Sequence, residues 1–184
     1  MQEKQKIGIF GSAFNPPTLG HFRALHEASK SFDEIIVLPS YSHPFGKQMA
    51  PFEDRMEMVR LIIDSTPEYF KLKLSNAEQS LFALNPKKPV YSYDILCHFS
   101  KIYPAAELYL ILGPDNSDIK IFSKFYKYTE ILSQFAIFSL PTSPGARSSE
   151  CRPLFHFDDK PSVDFLKSNL HLDTIIYASL HQLY

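Results

Sequence analysis

The chain has 184 residues, of which 45% are hydrophobic and 21% are charged, and its formal net charge is −1. This composition supports one packed domain over residues 1–184 and excludes a disordered chain. The balanced charge argues against bulk electrostatic binding to nucleic acid. No apolar run is long enough to cross a membrane, and the first residues lack the features of a secretory signal, so we expect a cytoplasmic protein. The two cysteines, Cys97 and Cys151, form neither a zinc spacing nor a disulfide framework.

Strand-like and helix-like segments alternate along the chain. Short apolar or alternating runs predict strands at residues 6–10, 35–38, 70–74, 108–112 and 135–140, with a sixth at 154–157. Apolar residues at helical spacing predict helices at residues 19–31, 52–63, 91–102, 125–133 and 172–183. The alternation predicts an α/β fold, a doubly wound parallel sheet with helices on both faces and a small C-terminal helical segment. Such sheets bind ligands beyond the carboxyl ends of their strands.

The loop after the first predicted strand carries the strongest functional signal. It has neither the glycine spacing of a dinucleotide fingerprint nor the Gly-Lys-Ser/Thr of a Walker A loop. Gly11 allows a sharp turn, and Thr18 and His21 lie three residues apart at the predicted start of a helix, with Gly20 between them. Backbone N–H groups and the helix dipole favour an anion there, which predicts a phosphate site. Taken alone, Thr-Leu-Gly-His fits a helix N-cap and a surface histidine equally well.

The longer string is more specific. Gly8-Ile-Phe-Gly-Ser-Ala-Phe-Asn-Pro-Pro-Thr-Leu-Gly-His21 resembles the G-x-F-(D/N)-P-x-(H/T)-x-G-H signature of the nucleotidyltransferase superfamily. Within that superfamily the chain looks most like the bacterial nicotinate-mononucleotide adenylyltransferase family. The resemblance implies a Rossmann-like fold in which His21 and Thr18 stabilise the transferred α-phosphoryl group. The loop residues that it implies for ATP binding are Gly11, Ser12, Phe14 and Gly20.

Two further loops extend the resemblance. Pro39-Ser-Tyr-Ser-His-Pro-Phe-Gly-Lys47 resembles the family's proline-stiffened loop with a basic end, which implies that Lys47 neutralises phosphate charge in catalysis. Leu110-Ile-Leu-Gly-Pro-Asp-Asn116 resembles the family's I-I-G-x-D strand end and implies that Gly113 and Asp115 contact ATP. Arg55 resembles the family's helical arginine before a methionine, and we expect it to brace a loop rather than touch substrate.

Two segments resemble the family's site for the mononucleotide. Val90-Tyr-Ser-Tyr-Asp-Ile-Leu96 resembles S-Y-T-x-D-T-L, which opens a helix beside the pyridine carboxylate and implies that Ser92 binds nicotinate mononucleotide. A plain helix N-cap is the alternative for Ser92. The segment from Phe125 to Leu132 resembles the family's W-x-x-x-x-x-I-L helix. Phe125 takes the position of the tryptophan that stacks on the nicotinate ring, with Tyr126 beside it, although Phe125 could equally belong to the core.

The family's late I-S-S-T-x-I-R motif, which holds the ATP phosphates, has two candidates in this chain. Residues 148–152 keep two serines and an arginine, with a spacing that looks one residue too short. Residues 161–167 follow the predicted sixth strand and end in a lysine. Position in the chain favours the second segment, so Ser162 and Lys167 are the predicted phosphate ligands. Arg147 or Arg152 could replace the arginine of the family's R-P-G segment, which is missing here.

The resemblance implies an adenylyltransferase that converts ATP and nicotinate mononucleotide into deamido-NAD and pyrophosphate in NAD biosynthesis. Mg²⁺ would be bound through the ATP phosphates rather than by a protein metal site. Two alternatives stay open. One keeps the chemistry and changes the acceptor to nicotinamide mononucleotide, phosphopantetheine or a CTP-dependent substrate, and the other is a degenerate nucleotide-binding protein without activity. A homodimer is compatible with the sequence.

Overall fold

Five parallel strands form one sheet in the computed structural model, which describes residues 4–42, 46, 48–142 and 145–184. The strands are β1 (Lys6–Ser12), β2 (Glu34–Pro39), β3 (Leu72–Leu74), β4 (Glu107–Leu112) and β5 (Ala136–Ser139). Their order is β3-β2-β1-β4-β5, and every pairing is parallel. The predicted doubly wound Rossmann-like sheet is therefore confirmed.

Helices cover both faces of this sheet. Those of the described residues are α1 (Leu19–Ser29), α2 (Phe52–Asp64), α3 (Ala77–Leu84), α4 (Ser92–Ile102), α5 (Pro114–Ser117), α6 (Ile119–Phe122), α7 (Tyr128–Gln134), α8 (Ser148–Cys151), α9 (Lys160–Asn169) and α10 (Leu172–Leu180). The helices α1 and α2 pack on one face, and α3, α4, α6 and α7 pack on the other. None of the helices among the described residues is long and apolar enough to cross a membrane.

Strand residues alternate between the two faces, as the period of two requires. In β2, Ile36 points to the α4 face while Ile35 and Val37 point to the α1 face. Gly8 lies in β1 on the α1 face, where a Cβ would approach Ile111 Cδ1 to 2.5 Å. This glycine therefore allows close packing across the sheet rather than contact with a ligand.

The predicted sixth strand at residues 154–157 is wrong. Residues Arg152–His156 form a 3₁₀ helix, with Pro153 in its first turn. Leu154 and Phe155 pack against a small apolar cluster around Cys151 and Leu166, away from the sheet. Proline favours the first turn of a helix, and this local packing replaces the expected pairing with a sheet edge. The predicted C-terminal helical segment is confirmed as α9 and α10.

The order of the strands determines where a ligand can bind. Chain order reverses between β1 and β4, so the loops that follow these two neighbouring strands diverge and leave a crevice at their carboxyl ends. The loop after β1 carries the signature string, and the turn after β4 begins at Gly113. Two of the predicted site segments therefore meet at the switch point of the sheet.

Candidate active site

The loop between β1 and α1 is held by side chains from distant parts of the chain. Three of its carbonyl oxygens accept hydrogen bonds, Ala13 O from Arg55 Nη1 at 2.8 Å, Asn15 O from Arg152 Nη1 at 2.8 Å and Pro16 O from Ser148 Oγ at 2.7 Å. The buried Asn15 side chain accepts a further bond from the Ala50 N–H at 3.0 Å. Because the loop is already ordered by these bonds, little conformational entropy is lost when its groups bind a ligand.

His21 lies in the first turn of α1, and its hydrogen bonds define its tautomer. The Thr18 N–H donates to His21 Nδ1 at 3.1 Å, and the Thr18 hydroxyl lies 2.8 Å from the same nitrogen. Because Nδ1 accepts a backbone N–H, the proton of the neutral ring is on Nε2. That nitrogen lies 3.3 Å from Ser12 Oγ. Both residues line a cavity at the carboxyl end of β1, which is described below. Burial lowers the pKa of His21 to about 4, so the ring is neutral at physiological pH.

Two buried neighbours hold His21 in this position. Thr18 is 3% exposed, and its hydroxyl is engaged by the imidazole. Phe14 is fully buried, with a backbone φ of 46°, and its ring centroid lies 5.0 Å from that of His21. The structure therefore places both residues around His21, where they orient the imidazole. A non-glycine residue in the left-handed region is strained, which indicates that its surroundings fix this local shape.

A cavity of about 740 Å³, which we call the α1 cavity, opens beside His21. It is lined by the loop after β1, the start of α1, the turn after β4 and the start of α8. The predicted ATP-binding residues among its lining are Gly11, Ser12, Phe14, Gly20, Gly113 and Asp115, with Thr18 and His21. At Gly113 a Cβ would point into open space, so the backbone there leaves room for a ligand.

A second cavity, the α4 cavity, adjoins the first and has a volume of about 520 Å³. Its walls contain the predicted mononucleotide residues Ser92, Phe125 and Tyr126. Gly11, Ser12 and Gly113 line both cavities, so the two spaces meet at the carboxyl ends of β1 and β4. A larger cleft of about 850 Å³ lies at the opposite, amino ends of the strands and contains none of the predicted site residues.

The structure places the two late segments differently with respect to the cavities. Ser162 is in the first turn of α9, bonded to its N-cap residue Asp159, and neither Ser162 nor Lys167 lines the α1 cavity or the α4 cavity. Ser148 and Ser149, at the start of α8, line the α1 cavity instead.

The motif regains its spacing when its first serine is placed on Arg147. The sequence Ala146-Arg-Ser-Ser-Glu-Cys-Arg152 then runs in register with I-S-S-T-x-I-R. Cys151 takes the buried apolar position, and Arg152 takes the arginine position and bonds to Asn15 O. In this alignment Arg147, Ser148 and Ser149 all line the α1 cavity.

The turn after β4 and the start of α8 meet at the mouth of the α1 cavity. Arg147 Nη2 lies 2.9 Å from Asp115 Oδ1, and both side chains are largely exposed. Arg147 thus brings a positive charge to the cavity from the loop, as the sequence suggested for a replacement of the R-P-G arginine. Lys47, the third predicted catalytic residue, lies outside the described residues.

The residues of the α1 cavity fit Mg²⁺ that arrives with a nucleotide. No group of three or more His, Cys, Asp or Glu side chains that could hold a metal occurs within the described ranges. One exposed carboxylate, that of Asp115, lines the cavity. Mg²⁺ in nucleotide sites is usually bound by substrate phosphates, water and one or two carboxylates. Asp115, whose Oδ1 is paired with Arg147 in this structure, supplies one such carboxylate.

Glu78 is a buried acid in the wall of the α4 cavity that sequence reasoning missed. It lies in the first turn of α3, is 7% exposed, and accepts a hydrogen bond from the Tyr41 backbone. Burial raises its pKa to about 8, so the carboxyl is mainly protonated at neutral pH. No pattern of residue types marks Glu78 in the sequence, because its burial comes from long-range packing.

Glu78→Gln is expected to stabilise the protein at alkaline pH. Between pH 4.5 and about 8 the unfolded chain loses the Glu78 proton while the folded chain keeps it, so stability falls as pH rises through this window. The variant lacks this fall and should gain about 2–4 kcal/mol at pH 8, and little at pH 4.5. Urea unfolding at both pH values measures the difference in unfolding free energy between variant and wild type. Glu53→Gln, which replaces an exposed carboxylate, is the control. Equal gains at both pH values would contradict a neutral Glu78.

The fold and the two joined cavities are typical of α/β proteins that bind nucleotides at the switch point of the sheet, and comparisons with known proteins identify the class. Residues 9–160 match the family model described as cytidylyltransferase-like. Nicotinate-nucleotide adenylyltransferase of Bacillus subtilis (strain 168) is 33% identical over 165 residues, which cover 87% of this chain and 80% of the relative.

Solved structures of adenylyltransferases are also similar to this chain. A structure described as that of a nicotinate-nucleotide adenylyltransferase from Vibrio parahaemolyticus superposes with a TM-score of 0.75 at 29% identity, and covers 94% of this chain and 97% of that one. The nicotinic acid mononucleotide adenylyltransferase of Plasmodium falciparum in complex with NaAD shares the fold, with a TM-score of 0.78 at 21% identity, covering 98% and 97%. The chain belongs to the cytidylyltransferase-like family and, within it, to the nicotinate-nucleotide adenylyltransferases.

Proposed function

We propose that this chain transfers AMP from ATP to the phosphate of nicotinate mononucleotide, with ATP in the α1 cavity and the mononucleotide in the α4 cavity. The observation that carries the proposal is the position of His21, whose Nε2–H faces the α1 cavity close to Ser12, a residue that lines both cavities. The α-phosphorus of ATP would then lie between the two spaces. The cytoplasmic location and the homodimer stay predictions.

The reaction needs charge stabilisation more than proton transfer. A phosphate oxygen of the mononucleotide attacks the α-phosphorus of ATP in line, and the bond to the bridging oxygen breaks, so pyrophosphate leaves with the electron pair. The attacking phosphate is already ionised at neutral pH and requires no general base. The neutral His21 donates its Nε2–H to an oxygen of the α-phosphoryl group, and the Thr18 contacts at Nδ1 keep that proton on Nε2. Bound Mg²⁺ would offset phosphate charge, with Asp115 as its candidate protein ligand.

Residues around the α1 cavity would bind the polyphosphate. The Ser148–Ser149 segment supplies hydroxyls and backbone N–H groups, and Arg147 supplies a guanidinium that can bind phosphate with two N–H groups. Lys47 stays a prediction for the same task. Ser162 and Lys167 have no part in this assignment, because they lie outside both cavities.

The α4 cavity would bind the pyridine nucleotide. Phe125 lines it with an aromatic face, and Ser92 opens α4 at the same wall. The Phe125 N–H donates to Phe122 O at 2.9 Å, so it is not free to bind the nicotinate carboxylate. The first N–H groups of α4 have no partner within the helix, and they are the better candidates for that carboxylate.

Phe125→Ala should affect the KM values of the two substrates differently. The loss of a stacking surface is expected to raise KM for nicotinate mononucleotide about tenfold, since an aromatic contact contributes about 0.5–1.5 kcal/mol beyond its buried area. KM for ATP should change little, because Phe125 lines only the α4 cavity. Initial rates of pyrophosphate release at varied concentrations of each substrate test this, with Phe157→Ala at an exposed aromatic as the control.

The same assay with other acceptors tests the proposed substrate. Nicotinate mononucleotide should give the highest kcat/KM among the acid, the amide and phosphopantetheine. A preference for the amide or for phosphopantetheine would overturn the proposed acceptor and leave the adenylyltransferase class in place. ATP binding without turnover on any acceptor would revive the degenerate alternative.

A further inference from the structure

An acid that would oppose an anionic ligand lies at the start of α4, two residues from Ser92, which lines the α4 cavity. Asp94 lies in the first turn of α4, where its Oδ2 accepts a hydrogen bond from the Tyr91 N–H at 3.2 Å. Ser92, two residues earlier, lines the cavity. A carboxylate bound at this helix end would meet the charge of Asp94 as well as the favourable helix dipole.

Lys88 supplies the compensating charge. Its Nζ lies 3.7 Å from Asp94 Oδ2, and it also lies over the Tyr126 ring, 4.4 Å from the centroid. Tyr126 in turn stacks on Tyr91, with ring centroids 4.8 Å apart and an interplanar angle of 30°. Both tyrosines line the α4 cavity and Lys88 does not, so Lys88 contacts the aromatic wall without itself lining the cavity. The ion pair with Asp94 and the cation–π contact with Tyr126 both act on the Lys88 ammonium group and favour the same position for it.

Two other lysines lie near this wall. Lys127 Nζ is 4.5 Å from the centroid of Tyr93 and 5.7 Å from that of Tyr126, and Lys124 lines the cavity. The lysine that forms an ion pair with Asp94 is Lys88. Lys88 is therefore the lysine whose loss would leave the Asp94 charge uncompensated beside Ser92.

We propose that Lys88 is a specificity-determining residue that favours a mononucleotide with an anionic ring substituent over one with a neutral amide. It acts by neutralising Asp94 at the start of α4 and by holding the Tyr91–Tyr126 wall, without touching the substrate. The inference rests on the proposed function, because it assigns the α4 cavity to the pyridine ring. Side chains of Lys88 and Asp94 are 41% and 32% exposed, so solvent screens their interaction and the effect is moderate.

The test is the ratio of the dissociation constants of the two mononucleotides, amide over acid, measured by calorimetry. Lys88→Ala should lower this preference for the acid about two- to fivefold, the range expected for one partly screened charge. Lys87→Ala is the matched control, since it removes a lysine from the same segment at an exposed position and should leave the ratio unchanged. Adding Asp94→Asn to Lys88→Ala should restore the preference, because the uncompensated charge is then gone.

A further condition separates the charge effect from packing. The difference between wild type and Lys88→Ala should shrink in high salt, whereas an effect through the tyrosine stack alone would persist. An unchanged ratio in Lys88→Ala, or no restoration by Asp94→Asn, would overturn the inference. If the wild type binds both mononucleotides but forms no product, the proposed function fails while the binding ratio still tests Lys88. If it binds neither mononucleotide, both proposals fail.

Discussion

Turnover of the His21→Ala variant is expected to be about 10²–10⁴-fold below that of the wild type, with the fold retained. The imidazole is held by Thr18 at Nδ1 and presents Nε2–H to the α1 cavity, so its removal takes away a preorganised donor at the α-phosphoryl group. KM for ATP should change much less than kcat, because the contact strengthens as charge develops in the transition state.

The control for this prediction is His26→Ala on the same helix. His26 stacks on Phe70 with centroids 4.2 Å apart and lines neither cavity. Its replacement should leave kcat within about twofold, since surface changes away from the site act weakly. Circular dichroism and thermal unfolding check that both variants are folded. A folded His21→Ala enzyme with near-normal turnover would show that another group stabilises the transferred phosphoryl.

Arg55→Ala is expected to lower the free energy of unfolding by about 3–5 kcal/mol. Arg55 is 1% exposed, and its Nε and Nη1 donate to Ala50 O and Ala13 O, each at 2.8 Å. Truncation leaves two carbonyl oxygens without these donors and opens a large void beside the loop after β1. Activity should fall as well, since Ala13 belongs to the loop shared by both cavities.

Arg60→Ala, on the same helix, is the matched control. Arg60 is exposed and pairs with Glu57 and Asp64 on the surface of α2, so its loss should cost about 0–1 kcal/mol. Chemical denaturation of the three proteins under identical conditions gives the comparison. Similar losses of unfolding free energy for Arg55→Ala and Arg60→Ala would mean that the buried hydrogen bonds of Arg55 do not support the loop.

The sequence predicted most of the sheet because its central strands are short apolar runs with no competing signal. The runs around Ile9, Ile36 and Leu110 are strands in the structure, and their alternation places apolar side chains on both faces. The run at 154–157 failed because Pro153 and a local apolar cluster favour a helical turn. Local propensity and local packing therefore determined the structure of this segment.

The site was predictable where one loop carries it, and less so where packing assembles it. The string that ends in His21 and the turn at Gly113 do meet at the switch point. Of the two candidates for the late motif, chain position favoured residues 161–167. In residues 146–152 an arginine stands at the position of the first serine, so the register of Ser148 and Ser149 was not evident from the sequence. The tautomer of His21 and the burial of Glu78 depend on atomic contacts between elements far apart in sequence, which no local pattern records.

The most direct test of the account follows the phosphorus atoms of ATP. With nicotinate mononucleotide and Mg²⁺, label from the α-phosphate of ATP should appear in the dinucleotide, and one pyrophosphate should form for each dinucleotide. Label from the γ-phosphate should appear only in pyrophosphate, because the bond that breaks joins the α-phosphorus to the oxygen that bridges the α- and β-phosphates. Release of α-label as free AMP, or transfer of the γ-label to the mononucleotide, would contradict the assignment of the two cavities and of His21 between them.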